Sequence, residues 1–205
     1  MRMSHGLRIG VTGGIGCGKS TVAALLESCG ALRFDADAVS RGLTAARGLA
    51  MPLIVERFGA SAAAPDGSLD RAAMRRLVFA DPARRRELED ILHPMIAQQR
   101  QAFLAQAGPR AVVLDIPLMA ESARGRGGLD RIVVVDCLES TQIDRVVSRS
   151  GLDPDEVRAV MATQATRPQR LSIADAVIFN ERLSLEQLGA AVARLWTHWQ
   201  GMRPH

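Results

Sequence analysis

Short apolar runs recur along the chain, and segments with apolar residues at helical spacing separate them. The runs contain mostly Val, Ile, Leu and Ala, which is typical of strands buried on both faces of a parallel sheet. They occupy residues 7–12, 31–34, 111–114, 132–135 and 176–179. The alternation of these strands with helices predicts a doubly wound α/β fold with a five-stranded parallel sheet. Its site is expected at the carboxyl ends of the strands.

The spacing of the runs is uneven and predicts a large insertion. About seventy-five residues separate the second strand from the third, and helical patterns cover 51–58, 71–79 and 83–106 of that segment. The last of these helices is expected to break near Pro94. Because so long a segment exceeds what one crossover needs, we predict an inserted helical domain over residues 38–107.

A second insertion, residues 140–171, is rich in arginine and has little aliphatic bulk near its end. This composition predicts a mobile helical lid. With both insertions set aside, the core of a single folding unit consists of residues 7–37, 108–139 and 172–205. The arginines of the predicted lid are Arg145, Arg149, Arg158, Arg167 and Arg170.

One lysine stands against 25 arginines in this chain, and it lies in a complete G-x-x-x-x-G-K-[ST] motif. The glycines of such a loop let successive backbone N–H groups point at a phosphate, and the lysine ammonium reaches the β- and γ-phosphates. A strand precedes the motif and a helix follows it, as the motif requires. We therefore predict that the chain binds ATP or GTP. The loop residues are Gly13, Gly14, Ile15, Gly16, Cys17, Gly18, Lys19, Ser20 and the adjoining Thr21.

Two oxygen donors near this loop are candidates for holding Mg²⁺. The Ser20 hydroxyl has the position that binds the metal in such loops. Asp115 ends the third predicted strand, where enzymes with this loop place an acidic residue that holds Mg²⁺ directly or through water. The alternative for Asp115 is an ordinary aspartate in a turn, and the presence of the loop favours the metal role.

Two interpretations of Asp35 and Asp37, which follow the second strand, stay open. If the chain remains extended there, both carboxylates point the same way above the loop, and one of them accepts a proton from an attacking hydroxyl. If a helix begins there instead, Asp37 suits its N-cap position.

The lid arginines are candidates for stabilising a transferred phosphoryl group. Phosphoryl transfer needs positive charge over the phosphoryl oxygens, and a closing lid brings that charge to the site. Because an arginine on a helix is usually a solvated side chain, we expect one or two of the five to act.

Composition narrows the class of protein. The chain has 205 residues, a net charge of +4 and a sequence pI of about 9.7, which suits a polyphosphate ligand. Aromatic residues make up 3% with no Tyr, so we expect no nucleic-acid partner.

The N-terminus has no apolar leader, and no stretch approaches a membrane span, so we expect a cytoplasmic protein without a membrane partner. Cys17, Cys29 and Cys137 lack C-x-x-C spacing, which indicates neither a disulfide framework nor a zinc site.

Several motifs, taken together and in this order, resemble dephospho-CoA kinases. The combination of Asp-Ala-Asp, Leu-His-Pro and a glutamine–arginine lid segment is specific, and the resemblance covers nearly the whole chain. It implies a P-loop kinase-type fold and transfer of the γ-phosphoryl group of ATP to the ribose 3′-hydroxyl of dephospho-CoA, the last step of CoA synthesis. The matching segments are residues 13–21, 35–37, 66–71, 88–94, 115–118 with Glu121, and 164–171.

The resemblance also implies roles for individual residues. Asp37 is the implied base, and we assign Lys19 and Arg145 to catalysis beside it. The helical insertion is the implied acceptor-binding domain. In the loop 179–182, Asn180 alone matches a position that lies by the adenine. Further substrate and lid candidates are Asp35, His93, Arg149, Gln164, Arg167 and Arg170.

Some positions depart from the family pattern. Cys17 stands where the loop usually has serine, and its thiol is either a reactive thiolate at a helix N-terminus or a shielded, inert replacement. Pro168 predicts that the lid helix ends or bends near it. His93, which matches the pattern, either contacts substrate or begins a buried helix.

Three other classes of protein also bind nucleotides through such a loop. A regulatory GTPase needs a second lysine in its guanine-reading N-K-x-D motif, and the chain has none. A non-catalytic nucleotide-binding module needs neither the Asp37 carboxylate nor a lid, and the presence of both in the predicted site counts against it. Another small-molecule or nucleoside-type kinase remains the alternative, because the inserted helices select the acceptor and their specificity is not legible from spacing.

Overall fold

The computed structural model describes residues 6–115 and 127–201. Within them the chain forms two compact units. The first combines the residues up to Phe34 with those from Ala107 onward, and the second is Asp35–Gln106. The second unit covers most of the predicted helical insertion 38–107, whereas the predicted lid 140–171 belongs to the first unit.

The first unit contains a parallel sheet of five strands in the order β2-β3-β1-β4-β5. Each predicted strand is present within two residues of its expected bounds. Strand β1, which leads into the phosphate-binding loop, lies in the centre, between β3 and β4. The predicted doubly wound sheet is therefore confirmed. The strands are β1 (Arg8–Gly13), β2 (Leu32–Asp35), β3 (Val112–Asp115), β4 (Arg131–Asp136) and β5 (Ala176–Phe179).

Helices connect these strands and form the second unit. The helices that lie between β2 and β3 in the chain make up the second unit, and the last of them extends one residue beyond the end of that unit. The helices are α1 (Lys19–Ser28), α2 (Ala36–Leu43), α3 (Met51–Phe58), α4 (Arg71–Ala80), α5 (Pro82–Ala107), α6 (Glu139–Ser150), α7 (Pro154–Ala162), α8 (Arg167–Ser172) and α9 (Leu185–Gly201).

Each unit has its own apolar core. In the first, side chains of the central strands pack against α1 and α9, and Val11, Val133, Leu26 and Val192 are fully buried. The runs read as apolar strands because the sheet is covered on both faces. In the second unit the core collects around Ile54, which is also fully buried.

Two proline-based expectations are wrong. Helix α5 continues through Pro94 instead of breaking there. Proline lacks the N–H that would bond four residues back, but Pro94 is exposed, so solvent can serve the carbonyl involved. Pro168 does not end a lid helix: α7 ends at Ala162, and Pro168 lies in the first turn of α8, where proline is well tolerated.

We predict that Gly13→Ala destabilises the first unit. A Cβ on Gly13 would lie 2.4 Å from the carbonyl oxygen of Val135, so the backbone of β4 would have to shift. The expected loss of folding free energy is about 1–3 kcal/mol, as for overpacking elsewhere. Thermal and urea unfolding would measure it.

Gly189→Ala is the matched control, because Gly189 lies inside α9 and its Cβ would lie 3.7 Å from Leu25 Cδ2, an ordinary contact. This substitution should leave stability unchanged or raise it by up to about 1 kcal/mol. Equal unfolding midpoints for Gly13→Ala and the wild type would contradict the close approach of β1 to β4.

Candidate active site at the phosphate-binding loop

The loop predicted from the motif connects β1 to α1. Strand β1 ends at Gly13, and Gly18 is the N-cap residue of α1 with a left-handed φ of 93°. No side chain in the described part of the chain caps this helix N-terminus. Its first N–H groups and its dipole are therefore directed at whatever anion the loop binds. The strand–loop–helix arrangement is confirmed.

Side chains of other elements approach the loop so closely that a Cβ on Gly14 or Gly18 would force them to move. A Cβ on Gly14 would lie 2.6 Å from Gln142 Nε2, and one on Gly18 would lie 2.5 Å from Asn180 Nδ2. Gln142 belongs to α6, and Asn180 follows β5. Packing therefore disfavours a side chain at both positions, and the positive φ of Gly18 is a second reason for glycine there.

Hydrogen bonds hold the loop backbone from that side. Asn180 Nδ2 donates to the Cys17 carbonyl at 2.8 Å. Arg145 donates to the Gly16 carbonyl at 3.4 Å and to the Asn180 carbonyl at 2.9 Å. The Ile15 N–H donates to Gln164 Oε1 at 3.0 Å. Asn180, Arg145 and Gln164, all predicted site residues, are thus brought together as supports of the loop.

Lys19 and Asp115 form an ion pair at the carboxyl end of β3. The second oxygen of this buried carboxylate accepts a hydrogen bond from Arg33 at 2.9 Å. The two cations offset the hydration that the Asp115 carboxylate loses on burial. Arg33 is not among the site residues predicted from the sequence, although an arginine within the apolar run 31–34 indicates a buried partner of opposite charge.

The donor set fits a Mg²⁺ ion held mainly by phosphate and water. Among residues 6–115 and 127–201, no group of three or more His, Cys, Asp or Glu side chains is placed to hold a metal. Mg²⁺ does not need such a cage, because it is usually bound by one or two protein oxygens together with substrate phosphates. Ser20 is exposed in the first turn of α1, and Asp115 already contacts two cations, which favours a water-mediated contact.

The arginines of the predicted lid differ in their partners. Arg167 binds the buried carboxylate of Asp136 through Nε at 2.9 Å and through a terminal nitrogen at 2.7 Å. This pairing raises the pKa of Arg167. Arg170 is buried, donates to the Ala165 carbonyl, and lies beside Gly14, whose Cβ would be 3.2 Å from it. Arg149 is exposed in the last turn of α6.

The structure corrects both interpretations of the acidic pair after β2. Helix α2 begins at Ala36, so the chain is not extended through Asp37. The N-cap is Asp35, whose carboxylate accepts a hydrogen bond from the Ala38 N–H at 2.8 Å. Asp37 lies exposed in the first turn. Asp35 and Asp37 are both of a residue type that caps helices, and only the backbone geometry selects Asp35.

His93 does not begin a buried helix. It is exposed and lies near the middle of α5. Like Asp35 and Asp37, it belongs to the second unit.

Cys17 is shielded, at 1% exposure, and its sulfur has two polar neighbours. Gln142 Nε2 donates to it at 2.7 Å, and the Cys137 sulfur lies 3.6 Å away. The hydrogen bond from Cys137, assisted by Gln142 and Arg170 and opposed by burial, lowers the pKa of Cys17 to about 7. The thiol is therefore both shielded and acidic, which combines the two alternatives that the sequence left open.

Comparison with known proteins identifies the family. The family model described as dephospho-CoA kinase matches residues 7–186. The chain belongs to the dephospho-CoA kinase family. A dephospho-CoA kinase of Dechloromonas aromatica is 53% identical over 173 residues, which cover 84% of each chain.

Solved structures share the fold of this chain. A crystal structure of a Thermus thermophilus protein is 32% identical, with a TM-score of 0.81 over 98% of this chain and all of that one. A dephospho-CoA kinase from Campylobacter jejuni is 20% identical, with a TM-score of 0.61 over 93% of this chain and 96% of that one. At that identity the second match supports the fold alone. No helix in the described ranges of this family member is long and apolar enough to cross a membrane.

We predict that residues 140–171 gain protection from hydrogen exchange when a non-hydrolysable ATP analogue binds with Mg²⁺. Arg145, Gln164 and Arg170 already contact the loop or lie against it, so an occupied loop should hold these helices more firmly. Mass spectrometry of the exchanged peptides measures the effect. Unchanged exchange across this span would contradict a lid.

Gln164→Ala should raise exchange at Ile15 and over α7 and α8, because it removes the acceptor of the Ile15 N–H. Gln101→Ala, an exposed glutamine of α5, is the control and should leave these peptides unchanged.

Proposed function

We propose that this chain is an ATP-dependent dephospho-CoA kinase, which phosphorylates the ribose 3′-hydroxyl of dephospho-CoA and so completes CoA. The single observation that carries the proposal is a match to this family over residues 7–186 that includes a fully formed phosphate-binding loop. A cytoplasmic location, and the absence of nucleic-acid and membrane partners, remain predictions from the sequence.

The loop binds the phosphates of ATP through backbone N–H groups at the N-terminus of α1. Support from Asn180 and Arg145 on the loop carbonyls fixes the shape of this donor array before the nucleotide arrives. Such preorganisation contributes to catalysis because donors already aimed at developing charge need no reorganisation during the reaction.

Lys19 supplies positive charge to the transferred phosphoryl group. Its ammonium is held by Asp115, which positions it at the end of the loop. When phosphate oxygens compete for Lys19, Arg33 continues to neutralise Asp115, so the move leaves no unpaired buried carboxylate. Ser20 would hold Mg²⁺ with Asp115 behind it through water, and the ion would offset charge on the β- and γ-phosphates.

Arg145 and Arg170 are the lid cations that support the proposal best. Both lie at the loop, and Arg145 uses its guanidinium on backbone carbonyls, which are weak partners compared with a phosphate anion. Arg167 is fully engaged by the Asp136 carboxylate, so we assign it to holding α8 on β4.

Asp37 is the proposed base for the acceptor hydroxyl. The chain leaves β2 at the carboxyl edge of the sheet, and Asp37 follows that point by two residues. Because Asp35 provides the N-cap of α2, the Asp37 carboxylate is not needed to start the helix. An exposed carboxylate free of capping is chemically suited to accept a proton from a hydroxyl.

A coupled assay of ADP release tests the proposed function. Dephospho-CoA should give turnover far above that with nucleosides, nucleoside monophosphates or shikimate, and mass spectrometry of the product should show one added phosphoryl group. Comparable or faster turnover with another acceptor would overturn the assignment.

We predict that Lys19→Ala lowers kcat by roughly 100- to 1000-fold, the range expected for removing one charge-stabilising donor. Lys19→Arg should also be severely impaired, because the planar guanidinium cannot replace the compact ammonium in the loop. Arg33 still pairs with Asp115 in both variants, so both should fold. Steady-state kinetics and circular dichroism measure the two effects.

Arg194→Lys, a swap at an exposed position of α9, is the control and should have normal kinetics. Near-normal turnover of Lys19→Arg would show that the retention of a single lysine in this chain has no catalytic cause.

We predict that Asp37→Asn lowers kcat by roughly 100- to 10,000-fold, because the amide has the shape of the carboxylate but cannot accept a proton. ATP affinity and the unfolding midpoint should change little, since the Asp35 cap is intact. Calorimetric titration with an ATP analogue, thermal unfolding and kinetics provide the three readouts.

Asp35→Asn is the matched comparison. Asparagine caps helices about as well as aspartate, so this variant should keep its stability and most of its turnover. If Asp35→Asn lost turnover and Asp37→Asn kept it, Asp35 and not Asp37 would be the base.

A further inference from the structure

Cys17, in the phosphate-binding loop, and Cys137, directly after β4, form a buried pair of thiols. Their sulfur atoms are 3.6 Å apart, and each residue is 1% exposed. The sheet brings them near each other: Gly13 pairs with Val135 in the β1–β4 register, Cys17 lies in the loop that follows β1, and Cys137 is the residue after β4. Cys29 lies at the C-cap of α1, at the opposite end of that helix.

We propose that Cys17 and Cys137 are a site of reversible oxidation, at which a hydroperoxide converts the two thiols into a disulfide that disables the phosphate-binding loop. This bond joins a residue of the phosphate-binding loop to the residue after β4, and no residue of the acceptor site takes part. It is therefore independent of which acceptor the enzyme phosphorylates.

The oxidation has two balanced steps. The Cys17 thiolate attacks a peroxide oxygen, the O–O bond breaks, and with one proton the products are a sulfenic acid and water, or an alcohol from an organic peroxide. The Cys137 sulfur then attacks the Cys17 sulfur, the S–S bond forms, and the S–O bond breaks. The hydroxyl leaves as water with the thiol proton of Cys137. The two thiols are oxidised, and the peroxide is reduced.

The surroundings decide which sulfur attacks first. Cys17, with its pKa near 7 and hydrogen bonds from Cys137 and Gln142, provides the thiolate. The same contact with Cys17 raises the pKa of Cys137, which stays a thiol. Conversion of Cys17 to a neutral sulfenic acid removes the negative charge that keeps Cys137 protonated. Cys137 then becomes available as the second nucleophile.

Access to the pair depends on the loop. Cys17 lies between Gly16 and Gly18, which both have positive φ, and Ser20 is exposed one residue beyond the motif lysine. A small peroxide reaches a residue that is 1% exposed only when this loop opens briefly. Bound MgATP holds the loop and should therefore slow the oxidation.

The disulfide requires the two side chains to leave their observed positions. An S–S bond is about 2.05 Å long, so the sulfurs must approach each other by roughly 1.5 Å from their separation of 3.6 Å. Gln142 binds the Cys17 sulfur and Asn180 binds the Cys17 carbonyl, so we expect this movement to disturb both contacts and to shift the N–H groups of the loop. A displacement of 1 Å in a catalytic array costs on the order of 100-fold in rate.

The test treats the whole protein with hydrogen peroxide, blocks remaining thiols with iodoacetamide, and digests it without reductant. Peptide mass spectrometry should find Cys17 linked to Cys137, and dithiothreitol should abolish the linkage. Turnover should fall roughly 100-fold and return with dithiothreitol. Excess MgATP should slow both changes. If dephospho-CoA proves not to be the acceptor, the affinity for a fluorescent ATP analogue replaces turnover as the readout.

Variants separate the pair from other thiols. Cys137→Ser should keep basal turnover, give no linkage, and show no loss that dithiothreitol reverses; Cys137→Ala serves if the serine variant folds poorly. Cys29→Ser should behave as the wild type does. Linkage through Cys29, oxidation of Cys17 to a sulfinic acid without linkage, no oxidation at all, or a Cys17–Cys137 disulfide with undiminished turnover and nucleotide affinity would each overturn the proposal.

Discussion

Hydrogen bonds to the carbonyl groups of the phosphate-binding loop are the constraint on which the site depends. Asn180 holds the Cys17 carbonyl and Arg145 holds the Gly16 carbonyl, so the loop keeps its shape while the N-terminus of α1 stays uncapped. The close approach of Asn180 and Gln142 disfavours any side chain at Gly18 and Gly14. A loop supported in this way offers its N–H groups to an anion without further rearrangement.

The second organising interaction is electrostatic. Asp115 is buried and would be costly as a lone carboxylate, and Lys19 and Arg33 together neutralise it. Because both cations contact Asp115, Lys19 can bind a phosphate while Arg33 continues to neutralise the carboxylate. The same arrangement places Lys19 at the end of β3. The lysine of the motif therefore has a structural as well as a chemical role.

The arginines of residues 140–171 illustrate how a shared composition hides different roles. Arg167 pairs with the buried Asp136 carboxylate and anchors α8, whereas Arg145 and Arg170 lie at the loop. Gln164 joins them by accepting from the Ile15 N–H. Because these contacts tie the segment to the loop, its helices and the loop are expected to respond together to bound nucleotide.

The sequence by itself determined the sheet, the phosphate-binding loop and the family, since these rest on local apolar runs and on motifs with fixed spacing. It did not determine whether Asp35 or Asp37 caps α2, nor that α5 passes through Pro94, because backbone geometry and exposure decide both. Arg33 with Asp115, and Cys17 with Cys137, are 82 and 120 residues apart along the chain. Only the parallel sheet, which brings the carboxyl ends of distant strands to one edge, decided that these groups meet.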